Sequence, residues 1–200
     1  MATAGDAVPA LLPFEPVALE GLDARIVQAL RAQRGAGSVP ELPRGQGWLF
    51  LELGGDDLAE LESRAARVVA AAGALEARVV TDPGQAARLW RIREDGAGLA
   101  GRSPAGKPAH AGWEDSAVPP ERLGGYLREF DALMAQHGVT GMPYGHFGDG
   151  CLHVRIDFPL DAANGASAFR AFLLDAAKLV VAHGGSMSGE HGDGLSLIHI

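Results

Sequence analysis

The 200-residue chain has a single cysteine, Cys151. That excludes an intrachain disulfide and an all-cysteine metal site within these residues. Lysine is nearly absent, with only Lys107 and Lys178, and the net charge is -8. A general nucleic-acid binder needs a basic face to neutralise phosphates, so that class is excluded. An anionic ligand would have to be met by a local cluster of positive charge. No run approaches the roughly 20 apolar residues of a membrane span, so no transmembrane segment is expected. Residues 1–12 lack the basic residues that open a signal peptide. The expectation is a soluble, cytoplasmic protein. Against these absences, the hydrophobic fraction of 47% is enough for a real core, and 21% charged residues is ordinary for a globular chain.

Residues 1–16 are rich in Ala and Pro and read as a linker or arm. Residues 18–33 have helical spacing at Leu19, Leu22, Ile26, Val27 and Leu30. Residues 48–53 alternate as a strand. Asp56 or Asp57 caps a helix reaching about residue 72, and residues 77–81 read as a second strand. Asp82-Pro83 starts a helix that carries Leu89, Trp90 and Arg93, with proline at an early helical position. Residues 97–112 form a long Gly/Pro/Ala loop, and 115–118 a short strand. Pro119-Pro120 opens a helix to about residue 137. Residues 140–158 read as two strands joined by a tight turn, and 167–183 as an amphipathic helix ended by Gly184-Gly185. The pattern predicts an α+β fold: a ferredoxin-like antiparallel sheet with helices on one face.

Two clusters carry chemistry. Asp149-Gly150 is a two-residue hairpin signal, and it puts His146 directly opposite His153, each three residues from the turn. Opposed side chains have Cβ atoms about 4.5–5.5 Å apart, which suits two imidazoles on one metal ion; it also suits two surface histidines. Leu152, Val154, Ile156 and Phe158 form an apolar face, while His153, Arg155 and Asp157 form a polar one. In the second cluster, residues 184–194, Glu190 and His191 stand side by side in a glycine-rich loop. Glu190 could complete a His-His-carboxylate set. Adjacent residues in an extended segment point apart, so only one of this pair would bind the metal and the other would be free to act as a base. A flexible loop with two charged residues is the plain alternative.

These segments together resemble the C-terminal domain of the FAD-linked oxidases and dehydrogenases of the vanillyl-alcohol-oxidase type, including D-lactate and D-2-hydroxyglutarate dehydrogenases. The resemblance rests on residues 145–153 (Gly-His-Phe-Gly-Asp-Gly-Cys-Leu-His), 188–194 (Ser-Gly-Glu-His-Gly-Asp-Gly), 114–119 (Glu-Asp-Ser-Ala-Val-Pro) and 89–94 (Leu-Trp-Arg-Ile-Arg-Glu), and runs from about residue 17 to 194. It implies that His146, His153 and Glu190 hold a divalent metal (Zn, Mn or Fe) and that His191 is the catalytic base. It also implies that Arg93, Lys107 and Arg155 contact a small 2-hydroxy-acid substrate, oxidised to the 2-oxo acid. FAD would be held mostly by a separate FAD-binding domain of the full-length protein. No strand–glycine-loop–helix fingerprint occurs here, and no flavin-binding residue is assigned. Residues 90–94 and 112–115 are most similar to large bacterial members, which also implies an iron-sulfur cluster elsewhere. Residues 195–200, Leu-Ser-Leu-Ile-His-Ile, depart from the family's basic continuation and are expected to be an atypical, truncated tail. The chain is thus expected to be a fragment, inactive alone. Two other readings stand beside this one: a metal-dependent hydrolase, and a non-catalytic binding domain that keeps the fold without the chemistry.

Overall fold

The structure, a computed structural model, describes residues 1–99, 101–103 and 106–190, with the backbone alone at 96–99. Its centre is a five-stranded, wholly antiparallel sheet in the order β2-β1-β4-β5-β3. The strands are β1 (Ala18–Asp23), β2 (Gly47–Glu52), β3 (His110–Ala117), β4 (Gly141–Gly145) and β5 (Cys151–Ile156). The helices are α1 (Ala2–Leu11), α2 (Ala24–Arg34), α3 (Leu58–Ala71), α4 (Pro83–Leu99), α5 (Leu123–Gln136) and α6 (Gly165–Ala182). The fold is α+β, as the patterning predicts.

Alternation along the strands divides the core. Leu19, Leu152, Val154 and Ile156 face α1, α5 and α6, where Trp113, Tyr126, Phe130 and Phe172 fill the centre. Leu22, Met142, Tyr144, Trp48 and Phe50 face the other way, under α2 and α4. This second helical layer covers the β2-β1-β4 side only and leaves a polar face at β4, β5 and β3. Aspartates start three of the helices, as their side chains accept backbone N–H groups there. Asp23 accepts from Arg25 N (2.8 Å), Asp57 from Ala59 N (2.9 Å), and Asp82 from Gln85 N (2.7 Å).

Three local expectations are corrected. The segment 18–33 is a strand followed by a helix. β1 is covered on both sides, so Leu19 and Leu22 are both buried although they point to opposite faces. Residues 77–81 form no strand, and Val79 is exposed. Residues 1–16, read as a linker or arm, contain α1, whose Val8 and Leu11 sink into the main core.

The hairpin also differs. β4 and β5 pair with Tyr144 opposite His153 and Pro143 opposite Val154. The Cys151 N–H donates to His146 O at 3.0 Å, closing a loop of four residues, 147–150, not two. The reason is Phe147. Its ring is fully buried against Gly21 of β1, where a Cβ would strike it, so the chain must turn into the core before it can reverse. Gly150, at φ +69°, completes the reversal.

Candidate metal and substrate site

The four-residue loop moves the register by two, and side chains alternate with period two. His146 and His153 therefore keep a common face, offset along the hairpin and no longer directly opposed. Their ring centroids lie 5.5 Å apart at 89°. Both are on the sheet face bordered by Arg93 of α4, His146 half-buried and His153 buried.

β3 shapes the same face from the other side. Trp113 pairs with Val154 and Ser116 with Leu152, so Glu114 and Asp115 together oppose His153 alone. This is a β-bulge, a device that re-aims side chains. Trp113 and Ser116, three residues apart, both reach the core to meet the Tyr126 hydroxyl, at 2.9 and 3.0 Å. The bulge leaves Glu114 and Asp115 for the site. Asp115 anchors the last described segment. Its Oδ1 accepts Glu190 N–H at 2.9 Å, its Oδ2 accepts the Ser188 hydroxyl at 3.1 Å, and its carbonyl accepts Gly189 N–H at 2.8 Å. Ala117 and Ser186 exchange both backbone bonds, at 2.8 and 2.9 Å. Glu190 is carried to the histidines on this edge pairing.

Donor and acceptor capacities fix the imidazole protons. A carbonyl oxygen only accepts, and His153 Nδ1 contacts Glu114 O, so that nitrogen carries the hydrogen. His146 Nδ1 lies 2.5 Å from Glu20 Oε1, and its Nε2 lies 3.2 Å from an Arg93 terminal nitrogen. Arginine only donates, so His146 Nε2 is an acceptor and its proton is on Nδ1. Glu190 faces these nitrogens, with Oε1 3.1 Å from His146 Nε2 and Oε2 3.5 Å from His153 Nε2. The lone pair of His146 Nε2 thus confronts a carboxylate oxygen with no proton between them. One ring nitrogen from each histidine and one Glu190 carboxylate oxygen lie within 4.8 Å of one another.

That donor set fits a divalent cation. Two imidazole nitrogens and a carboxylate are ordinary ligands for Zn, Mn or Fe. Each ring also donates its other nitrogen to an oxygen, the outer-shell arrangement that orients metal-bound histidine. The charge agrees: Glu20, Glu114, Asp115 and Glu190 bring four carboxylates to this face, where Arg93 pairs with Glu20 and Arg155 approaches Glu114.

Arg93 is held by Glu20, Nε to Oε2 at 2.9 Å, and lies over the Tyr144 ring, 5.6 Å from its centroid. Arg155 approaches Glu114 at 3.2 Å, Nε to Oε1, without the alignment of a hydrogen bond. Both atoms are buried with no hydrogen-bond partner among the described residues. Burial pushes the Tyr144 phenol up, and the Glu114 charge adds to this. Cys151 is buried beneath Glu190. Burial pushes its thiol up, and the Glu190 and Asp115 carboxylates push it the same way.

The structure therefore brings together His146, His153, Glu190 and Arg93, with Arg155 beside them on the same face. Lys107 is exposed, and no hydrogen bond or ion pair joins its side chain to this group among the described residues. His191 lies outside the described residues. Sequence reasoning missed Glu20, Glu114, Asp115 and Tyr144 as parts of the site. Glu20 had a visible signal, an acid inside the apolar stretch 17–22, but it is meaningful only once that stretch is a strand.

The chain belongs to the FAD linked oxidases, C-terminal domain family, whose family model matches residues 1–198. Among curated proteins it is similar to D-2-hydroxyglutarate dehydrogenase of Escherichia coli, 29% identical over 202 residues, which covers 93% of this chain and 20% of that protein. The Haemophilus influenzae D-2-hydroxyglutarate dehydrogenase is 33% identical over 118 residues, covering 59% and 12%. A D-lactate dehydrogenase of Archaeoglobus fulgidus is 35% identical over 80 residues, covering 40% and 17%. The chain thus spans about a fifth or less of the length of these relatives.

Proposed function

We propose that this chain supplies the metal-binding, substrate-binding and proton-accepting residues of an FAD-dependent enzyme. That enzyme oxidises a D-2-hydroxy acid, of the D-lactate or D-2-hydroxyglutarate type, to the 2-oxo acid. The observation that carries the reading is the convergence of two Nδ1-protonated imidazoles and one carboxylate beside an arginine. His146, His153 and Glu190 would hold the metal, which supplies Lewis acidity that lowers the pKa of the substrate hydroxyl. FAD, held by another part of the full-length protein, supplies the hydride acceptor.

The chain's own residues do the remainder. The His146 Nε2 lone pair serves one partner at a time. With that lone pair committed to a bound cation, the Arg93 terminal nitrogen would be free for the substrate carboxylate. Arginine offers a planar fork that suits a carboxylate. Tyr144, stacked under Arg93, limits its travel. Arg155, with its unsatisfied Nε, and Lys107 are assigned further polar contacts to the substrate. His191, the neighbour of Glu190 in the sequence, takes the hydroxyl proton.

The test uses the full-length protein, with bound flavin followed by absorbance in the absence of oxygen. D-lactate or D-2-hydroxyglutarate is expected to bleach the flavin. Chelation should slow this, and a divalent metal should restore it. His191→Ala should slow it by about 10²- to 10⁴-fold, the usual worth of a general base. Bleaching that is indifferent to both chelation and His191→Ala would overturn the reading.

A further inference from the structure

We propose that Glu20 is a positioning residue, whose one carboxylate sets both the metal-ligating ring of His146 and the carboxylate-binding edge of Arg93. This rests on the metal-and-substrate reading above and goes beyond it, because it names what holds the two halves of the site in register.

Glu20 sits inside β1, between ladders to β2 and β4. Gly21 pairs with Gly145 and Leu22 with Tyr144, so the next position in that register sets Glu20 against His146. The face around it is apolar, formed by Leu22, Trp48, Phe50 and Tyr144. Its side chain is only 9% exposed. A carboxylate in such a place is costly unless its oxygens are satisfied. Among the described residues each oxygen has one donor: Oε1 takes His146 Nδ1–H at 2.5 Å and Oε2 takes Arg93 Nε–H at 2.9 Å. The first bond fixes the tautomer that leaves Nε2 able to bind a metal. The second fixes the guanidinium plane, and that plane is what brings an Arg93 terminal nitrogen to 3.2 Å from the same Nε2.

An apolar residue at position 20 would strand both N–H groups. A glutamine is nearly isosteric but has one acceptor oxygen and one amide donor. It can serve Arg93 only by turning its NH₂ toward His146, which then moves its proton to Nε2, or it can serve His146 and abandon Arg93. Glu20→Gln is therefore expected to harm metal binding and substrate binding together. An aspartate keeps the charge but is one methylene short, so it should reach one partner well.

The experiment compares full-length parent, Glu20→Gln and Glu20→Asp. Zinc affinity is measured by competition with a chromophoric chelator, and kcat and KM with a D-2-hydroxy acid at saturating metal. The expected result for Glu20→Gln is a loss of zinc affinity of about 10- to 100-fold, as for other outer-shell partners. At saturating metal KM should rise more than kcat falls, with Glu20→Asp intermediate in both. A merely structural role would lower the melting temperature and leave zinc affinity and KM at parental values. That outcome, in whichever variant folds, overturns the proposal. If the parent itself binds no stoichiometric zinc, manganese or iron, the metal reading fails first and this inference falls with it.

Discussion

Tyr126 shows what one buried polar atom can control. Its hydroxyl accepts from Trp113 Nε1 and donates to Ser116 Oγ, so it ties the two flanks of the β3 bulge to α5. Burial pushes its pKa up to about 12 from the ordinary 10.0. The folded state thus favours the neutral phenol. This contributes stability that is fully present below the unfolded value and is lost as pH rises through the folded one. Between pH 10 and about 12 the protein should lose stability that Tyr126→Phe does not lose, as read from denaturant midpoints across that range. At neutral pH the same variant should be less stable by about 1–3 kcal/mol, because two buried groups lose their partner. Residues of this kind were the least legible in the sequence. His146, His153, Glu190 and Arg93 stood out because their chemistry is specific and their spacing short. Glu20, Glu114 and Asp115 act across 126, 39 and 75 residues of chain, and no local pattern reports a contact of that range.

At the scale of elements, α1 and α5 approach through glycine. A Cβ on Gly124 would lie 2.8 Å from the Asp6 backbone nitrogen, and one on Gly5 would lie 3.0 Å from Gly124 Cα. Gly124→Ala should therefore push α1 off the core and cost about 1–3 kcal/mol, the usual penalty for overpacking, measurable by chemical denaturation. Composition hid this helix. Alanine and proline suggested a linker, but Val8 and Leu11 fall on one side and are buried. Strands that keep one polar face, such as β5, were read correctly because alternation survives. β1 was not, because a strand covered on both faces loses alternation, and the accidental spacing of Leu19 and Leu22 imitated a helix. The hairpin lay between these cases. Its length was wrong by two residues, for want of knowing that Phe147 turns inward, but an even error preserves the face. His146 and His153 were grouped correctly from a register that was not correct.

Across the whole molecule, the site draws on β1, α4, the β3 bulge, the β4-β5 hairpin and the segment ending at Glu190. Nothing smaller than the assembled domain presents the full donor set. A metal bound there should stabilise the folded state by mass action, about 2.7 kcal/mol at a hundredfold excess over its dissociation constant. In the full-length protein the melting temperature should rise with zinc or manganese concentration and return on chelation. Glu190→Gln should abolish most of that rise. Among the described residues no helix is long and apolar enough to cross a membrane.

The bulge on β3 has a consequence for how this domain can change over generations. Two residues there stand opposite one, so a single-codon deletion at 114 or 115 would restore regular pairing with β5 between Trp113 and Ser116 while removing one of the two carboxylates aimed at the site. The cheapest mutation against the chemistry would then be one that the sheet tolerates or welcomes. A lineage relieved of selection for catalysis would be expected to lose the bulge early and to keep the fold.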